Sequence, residues 1–197
     1  MQFSLGENYL NGTILPSIYN LSSIKVIHMS QNNLHGNLPP GLGHTIFPNL
    51  ETFIFHSNQF TRPIPASISK ASNLLVFSIA ANKFIGKMPS LARLSNLYSF
   101  ELQENNLGNN EEGDLDFISS LVNCTNLEGL SIGLNNFGGV LPETISNLST
   151  KLTKISFQEN QIRGNIPIGV GNLTNMERLG FFANLLAIGK LNKLYES

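Results

Sequence analysis

Residues 152–167 read LTKISFQENQIRGNIP. Residues 24–39, IKVIHMSQNNLHGNLP, and 74–89, LLVFSIAANKFIGKMP, match that stretch position for position. The shared pattern is L-x-x-L-x-L-x-x-N-x-L-x-G-x-I-P. The same local frame holds Asn8, Asn32, Asn58, Asn82, Asn105, Asn135, Asn160 and Asn184, at spacings of 24, 26, 24, 23, 30, 25 and 24 residues. A period of about 20–30 residues is the mark of an architecture built by stacking one small unit on the next.

Each position in the pattern has a physical task. The L-x-L segment is a short strand whose alternate side chains point inward; these are Ile27 and Met29 in the second unit and Phe100 and Leu102 in the fifth. The asparagine sits where the strand turns away, and its amide is placed to satisfy backbone groups of the turn and of the neighbouring unit. The eight asparagines therefore read as a structural ladder. The apolar residue two positions later (Leu10, Leu34, Phe60, Phe84, Leu107, Phe137, Ile162, Leu186) plugs the core. Gly-x-Ile-Pro then carries the chain to the outer side, Gly by allowing φ > 0 and Pro by fixing an extended backbone. One unit cannot bury its own apolar face, so the units must stack.

The expected fold is an α/β solenoid: a leucine-rich-repeat right-handed superhelix with a parallel β-sheet on the concave face and little helix. About eight repeats span residues 1–197 as one domain, an arc roughly 40 Å long at about 4.8 Å per strand. The chain reads as uncapped at both ends. It starts inside a repeat, and 187–197 is degenerate: Ile188, Gly189, Lys190 and Leu191 match a later convex-side segment, as though the turn were deleted. Arg62 stands where the turn glycine belongs. Residues 108–122 form an irregular insertion, in which Asp114 is expected to N-cap a short helix carrying Leu115, Ile118 and Leu121. The acidic group Glu111, Glu112, Asp114 and Asp116 reads as the start of that helix on a solvated loop rather than as a calcium site.

Composition narrows the function. The net charge is −1 and only 13% of the 197 residues are charged, so there is no electrostatic footprint for nucleic acid. No apolar run of about 18 residues is present, so no direct membrane insertion is expected in this segment. The first residues, MQFSLGENYLNG, have no signal-peptide character.

The repeated G-x-I-P block, with PSIYNLSS (16–23), LDFISSLVNCTNL (115–127) and GGVLPETISNLSTKL (138–152), resembles the ectodomains of plant leucine-rich-repeat receptor-like kinases, most closely their immune-receptor subfamily. The resemblance implies an extracellular repeat array that recognises a peptide or protein ligand, with a co-receptor kinase ectodomain as a second partner. It also implies a membrane span and a cytoplasmic Ser/Thr kinase in a parent chain, on whose extracellular side this segment would lie. The stretch itself carries no kinase motif, so it is not expected to be an enzyme or to need a cofactor. The alternatives are a stand-alone secreted inhibitor of a pathogen enzyme, similar to polygalacturonase-inhibiting proteins, and a non-functional truncated remnant.

Chemistry-bearing residues are few. Cys124 aligns with the core position of Leu21 and reads as a small buried hydrophobe. His28 and His56 project from adjacent concave strands two residues out of register, about 8 Å apart at Cα, with no third ligand for a metal; His35 and His44 lie elsewhere. Ligand contacts are assigned to the concave face, at His28, His56, Glu101, Gln103, Gln158, Arg178 and Phe182, because the scaffold holds many side chains there on one curved sheet. The small residues Gly129, Ser131 and Gly133 are expected to leave a groove open. Five N-x-S/T sequons, at Asn11, Asn20, Asn123, Asn147 and Asn172, are expected glycosylation sites; the last four share one convex position in the repeat.

Overall fold

A computed structural model describes residues 1–187; the degenerate stretch from Ile188 onward lies outside the described residues. Eight short strands form one continuous parallel sheet: Gln2–Ser4, Val26–His28, Thr52–Ile54, Val76–Ser78, Ser99–Glu101, Gly129–Ser131, Lys154–Ser156 and Arg178–Gly180. They are referred to below as rungs 1 to 8. The register is uniform, so Phe53, Phe77 and Phe100 lie side by side, as do Ile54, Ser78 and Glu101. Every strand pair in the sheet is parallel, because each unit returns to the same edge before the next strand begins.

The inward residues of these strands and the plug two positions after each asparagine make the core. Phe53, Phe77 and Phe100 stack in succession with ring centroids 5.5 Å apart. The column continues through Phe117 from the insertion to Phe137. Outer connections are single helical turns (Pro16–Asn20, Ala66–Lys70, Glu143–Asn147, Ile168–Asn172), each seating one or two apolar residues against the core.

The asparagines join the rungs. In rung 4, Asn82 Nδ2 donates to Phe55 O of the preceding rung at 3.0 Å and to Ile79 O and Ala80 O of its own turn. Its Oδ1 accepts the Phe60 backbone N–H at 3.0 Å. Asn32, Asn58, Asn105, Asn135, Asn160 and Asn184 make the same bridge. The Asn8 side chain is exposed and bonds only within its own turn, to Leu5 O and Gly6 O.

Two features of the turn are not visible in the repeat pattern. The residue before every ladder asparagine is left-handed, with φ between 50° and 59° at Glu7, Gln31, Ser57, Ala81, Glu104, Leu134, Glu159 and Ala183. That conformation reverses the chain and swings the amide inward, although none of the eight is glycine. The backbone beyond it then pairs again, forming a second parallel sheet of five short strands from Asn11–Gly12 to Asn106–Leu107, and a separate pair, Arg163–Gly164 with Leu185–Leu186. The sequence reading assigned only a turn to this stretch.

The insertion explains why the second sheet breaks. Asp114 does not cap the helix: the helix runs Asp116–Ser119, continues as a tighter turn over Ser120–Asn123, and has no side-chain cap. Asp114 is instead buried, and its Oδ2 accepts backbone N–H groups from Asn109, Glu111 and Gly138 at 2.9–3.1 Å. The Gly138 N–H that would pair in the second sheet is thereby taken by the loop. The approach is close: a Cβ on Gly138 would lie 2.5 Å from the Asn110 carbonyl carbon. Glu111 pairs with Lys87 at 3.0 Å and Asn110 accepts from Arg163 at 3.0 Å. The acidic group is therefore partly structural, tying rungs 4, 6 and 7 together, and not simply a solvated helix start.

Candidate ligand-binding face

The sheet's outward side chains form three rows running from rung to rung. The middle row is Ser4, His28, Ile54, Ser78, Glu101, Ser131, Ser156 and Gly180. The row after it holds Gly6, Ser30, His56, Ala80, Gln103, Gly133, Gln158 and Phe182. Parallel pairing with one register aligns these rows, so each side chain has neighbours of equal rank on the adjacent rungs.

The seven residues assigned to ligand contact divide into two groups. His28, His56, Glu101 and Gln103 lie on rungs 2 to 5. Gln158, Arg178 and Phe182 lie on rungs 7 and 8, where they line a shallow open concavity with Lys154, Ser156 and Gly180. Phe182 is largely exposed. Rung 6, with Gly129, Ser131 and Gly133, separates the groups. The groove expected there is open at Gly129, whose added Cβ would meet only Ser99 Oγ within 4 Å. It is closed at Gly133, where the Gln158 amide would sit 2.7 Å from such a Cβ. Side chains on this face lean toward the preceding rung: Gln158 over Gly133, His28 over Gly6, and Glu101 toward Ser78, whose hydroxyl donates to it at 2.9 Å.

Electrostatics centre on Glu101. Its second oxygen accepts the Ser99 hydroxyl at 3.2 Å. Burial pushes the His56 imidazole below its ordinary pKa; Glu101 pulls it back up and His28 pushes it further down. His28 itself contacts the Ser30 hydroxyl at 2.5 Å. Among the described residues no three His, Cys, Asp or Glu side chains converge as a metal site. Cys124 is fully buried, its Sγ donating to Leu94 O at 2.9 Å, and burial pushes its thiol up to about 11; such a group is a poor nucleophile at neutral pH.

All five sequon asparagines are exposed. Asn20, Asn123, Asn147 and Asn172 are each the last residue of an outer helical turn. Asn11 lies in the second sheet at its first strand. None lies on the concave face.

The uniform parallel sheet, the asparagine ladder and the side-chain rows define a leucine-rich-repeat solenoid, with the fold of an ectodomain and not of a catalytic domain. A Leucine Rich Repeat family profile matches residues 23–45 and 126–148. Over 87 residues, 44% of this chain, the sequence is 45% identical to the LRR receptor-like serine/threonine-protein kinase EFR of Arabidopsis thaliana, and the match spans 8% of that relative. The plant peptide hormone receptor RGFR1, solved in complex with RGF2, superposes with a TM-score of 0.84 at 30% identity, over 93% of this chain and 28% of that one. The Arabidopsis receptor kinase HAESA, solved with the peptide hormone IDA and the co-receptor SERK1, gives a TM-score of 0.83 at 26% identity, over 93% of this chain and 30% of that one. The matched stretch thus spans less than a tenth of EFR, and the chain covers under a third of each solved ectodomain.

Proposed function

We propose that this chain is an extracellular recognition segment of a plant leucine-rich-repeat receptor-like Ser/Thr kinase, acting in defence signalling. Its repeats form one domain that takes an extended peptide or protein ligand on the concave face, and a co-receptor ectodomain is the second expected partner. Kinase activity belongs to another part of the parent chain, beyond a membrane span. The observation that carries this reading is the pair of polar groups on one rigid sheet, His28–His56–Glu101–Gln103 and Gln158–Arg178–Phe182, in a fold shared with ectodomains solved bound to peptides. The five exposed sequons, all off that face, agree with an extracellular life that leaves the concave side free of sugar.

The test is alanine substitution in the parent receptor, read by its ligand-triggered response. Glu101→Ala and Phe182→Ala should each weaken ligand binding by more than about 1 kcal/mol, since a few anchors carry most interface energy. Lys70→Ala, on an outer turn, should be silent. Silent concave changes alongside a damaging Lys70→Ala would refute the reading.

A further inference from the structure

The charge on the concave face differs from that of the whole molecule. The strands with their two flanking rims hold seven carboxylates, at Glu7, Glu51, Glu101, Glu104, Glu128, Glu159 and Glu177. They hold only three fixed cations, Lys25, Lys154 and Arg178, whereas the entire chain has 13 acidic and 12 basic residues. Lys25 is already engaged, 2.7 Å from Glu51. Across rungs 3 to 6 the face and rims carry no Lys or Arg, and with Glu51 paired to Lys25 the carboxylates of Glu101, Glu104 and Glu128 remain. A concave surface of one sign concentrates the opposite charge above it.

Glu101 sits at the middle of this region. The Ser78 and Ser99 hydroxyls hold its carboxylate from one side, which leaves acceptor positions free, because a carboxylate offers about four. Among the described residues it has no cationic partner within salt-bridge distance. His56, pushed down by burial, does not supply one at neutral pH. Beside it, on rung 6, the slot is open over Gly129. Next to Glu101 in the same row, Ser131 of rung 6 is 3% exposed, and its hydroxyl makes no hydrogen bond among the described residues. Independently, the rim of rungs 4 and 5 exposes two large apolar side chains, Leu75 and Tyr98, at 41% and 49%, placed between Glu51 and Glu128.

Building on the reading that the concave face takes a peptide, we propose that rungs 3 to 6 select an extended peptide segment bearing an arginine, whose guanidinium seats on Glu101 with an adjacent apolar residue against Leu75 and Tyr98. The planar guanidinium suits this position: it donates two parallel hydrogen bonds to one carboxylate and has donors left for the Ser131 hydroxyl. The basic segment ends at this patch, because Lys154 and Arg178 follow on rungs 7 and 8 and repel further cations.

The test is a selection from random twelve-residue peptides displayed on phage, against the whole chain secreted as a soluble protein, with Glu101→Gln and Lys70→Ala selected in parallel. Glutamine keeps one acceptor oxygen for a serine hydroxyl and its amide NH2 can donate to the other serine oxygen, and circular dichroism with the unfolding midpoint verifies that the variant is folded. The expected result is enrichment of peptides with an arginine next to an apolar residue, and about a ten-fold loss of their affinity on Glu101→Gln but none on Lys70→Ala. Enriched peptides without arginine, or with equal affinity for Glu101→Gln, overturn the arginine selectivity while leaving the peptide-binding reading in place. No enrichment at all overturns both.

Discussion

The Ser78 hydroxyl of rung 4 donates to the Glu101 carboxylate of rung 5 at 2.9 Å, spanning the gap between adjacent strands. The bond exists because a uniform parallel register sets residues of equal rank side by side. It fixes the only carboxylate in the middle row of the face, and it places that charge where His56, one rank further along on rung 3, senses it.

His56 should report on this arrangement. Burial lowers its pKa from the ordinary 6.5, Glu101 raises it and His28 lowers it. A nuclear magnetic resonance titration should give a midpoint below 6.5. Glu101→Gln should lower it further and His28→Ala should raise it. The native state favours the neutral ring, so this group's contribution to stability is present above pH 6.5 and is lost as pH falls from there through the depressed native pKa. A midpoint unmoved by Glu101→Gln would mean that the two groups are not coupled.

The ladder asparagines should differ in weight by position. Asn82→Ala strands the Phe60 N–H between rungs and removes one of the two donors to Phe55 O, Asn58 Nδ2 being the other; a buried group left unpaired costs about 1–3 kcal/mol, so the loss should be about 2 kcal/mol. The Asn8 side chain is exposed and bonds to no other rung, so Asn8→Ala should cost under about 1 kcal/mol. Urea unfolding of the two variants decides this; equal losses would contradict the bridging role.

Arg62 adopts φ 72° at the position where Gly36, Gly86 and Gly164 hold positive φ in neighbouring repeats. A non-glycine residue is strained there by about 1–2 kcal/mol, partly offset by the larger backbone entropy that glycine loses on folding. Arg62→Gly should therefore stabilise the chain by about 0.5–1 kcal/mol. Ala80→Gly, at a position without positive φ, should destabilise it by a similar amount. A lower melting temperature for Arg62→Gly would contradict the strain argument.

Secreted material should carry N-linked sugars at Asn20, Asn123, Asn147 and Asn172, which end equivalent outer turns and are exposed. The Ser149 hydroxyl of the third sequon is itself buried and donates to Thr125 O, so Asn147 must be modified before that bond forms. Peptide mapping by mass spectrometry checks occupancy; bare asparagines on secreted protein would argue against the proposed location.

Much of the fold was legible because stacking forces a side chain of given rank into one environment eight times. Asn82, Phe77 and Phe84 could be placed from their rank alone. The left-handed residue before each asparagine was not legible, since Ala81, Leu134 and Glu159 share no chemistry and the backbone alone carries the constraint. The second sheet was missed for a related reason: its strands pair through backbone groups and leave no alternating pattern. Asp114 was misread because an acidic residue before a helix normally caps it, whereas here the backbone N–H groups of Asn109, Glu111 and Gly138, the last 24 residues on, engage its carboxylate. On the concave face, position followed from rank, but the lean of Gln158 over Gly133 and of Glu101 toward Ser78 follows from contacts between rungs.

The central claim is that the concave sheet, rather than the outer turns, is where a ligand sits. Its most direct test is a photo-crosslinking amino acid placed singly at Ser78, Gly129 or Gln158 on the sheet, and at Lys70 or Asn172 on the outer turns, in the parent receptor on plant cells exposed to its elicitor. The account predicts ligand adducts from the three sheet positions and none from the two outer ones. Adducts confined to Lys70 or Asn172, with the sheet positions bare, would contradict it.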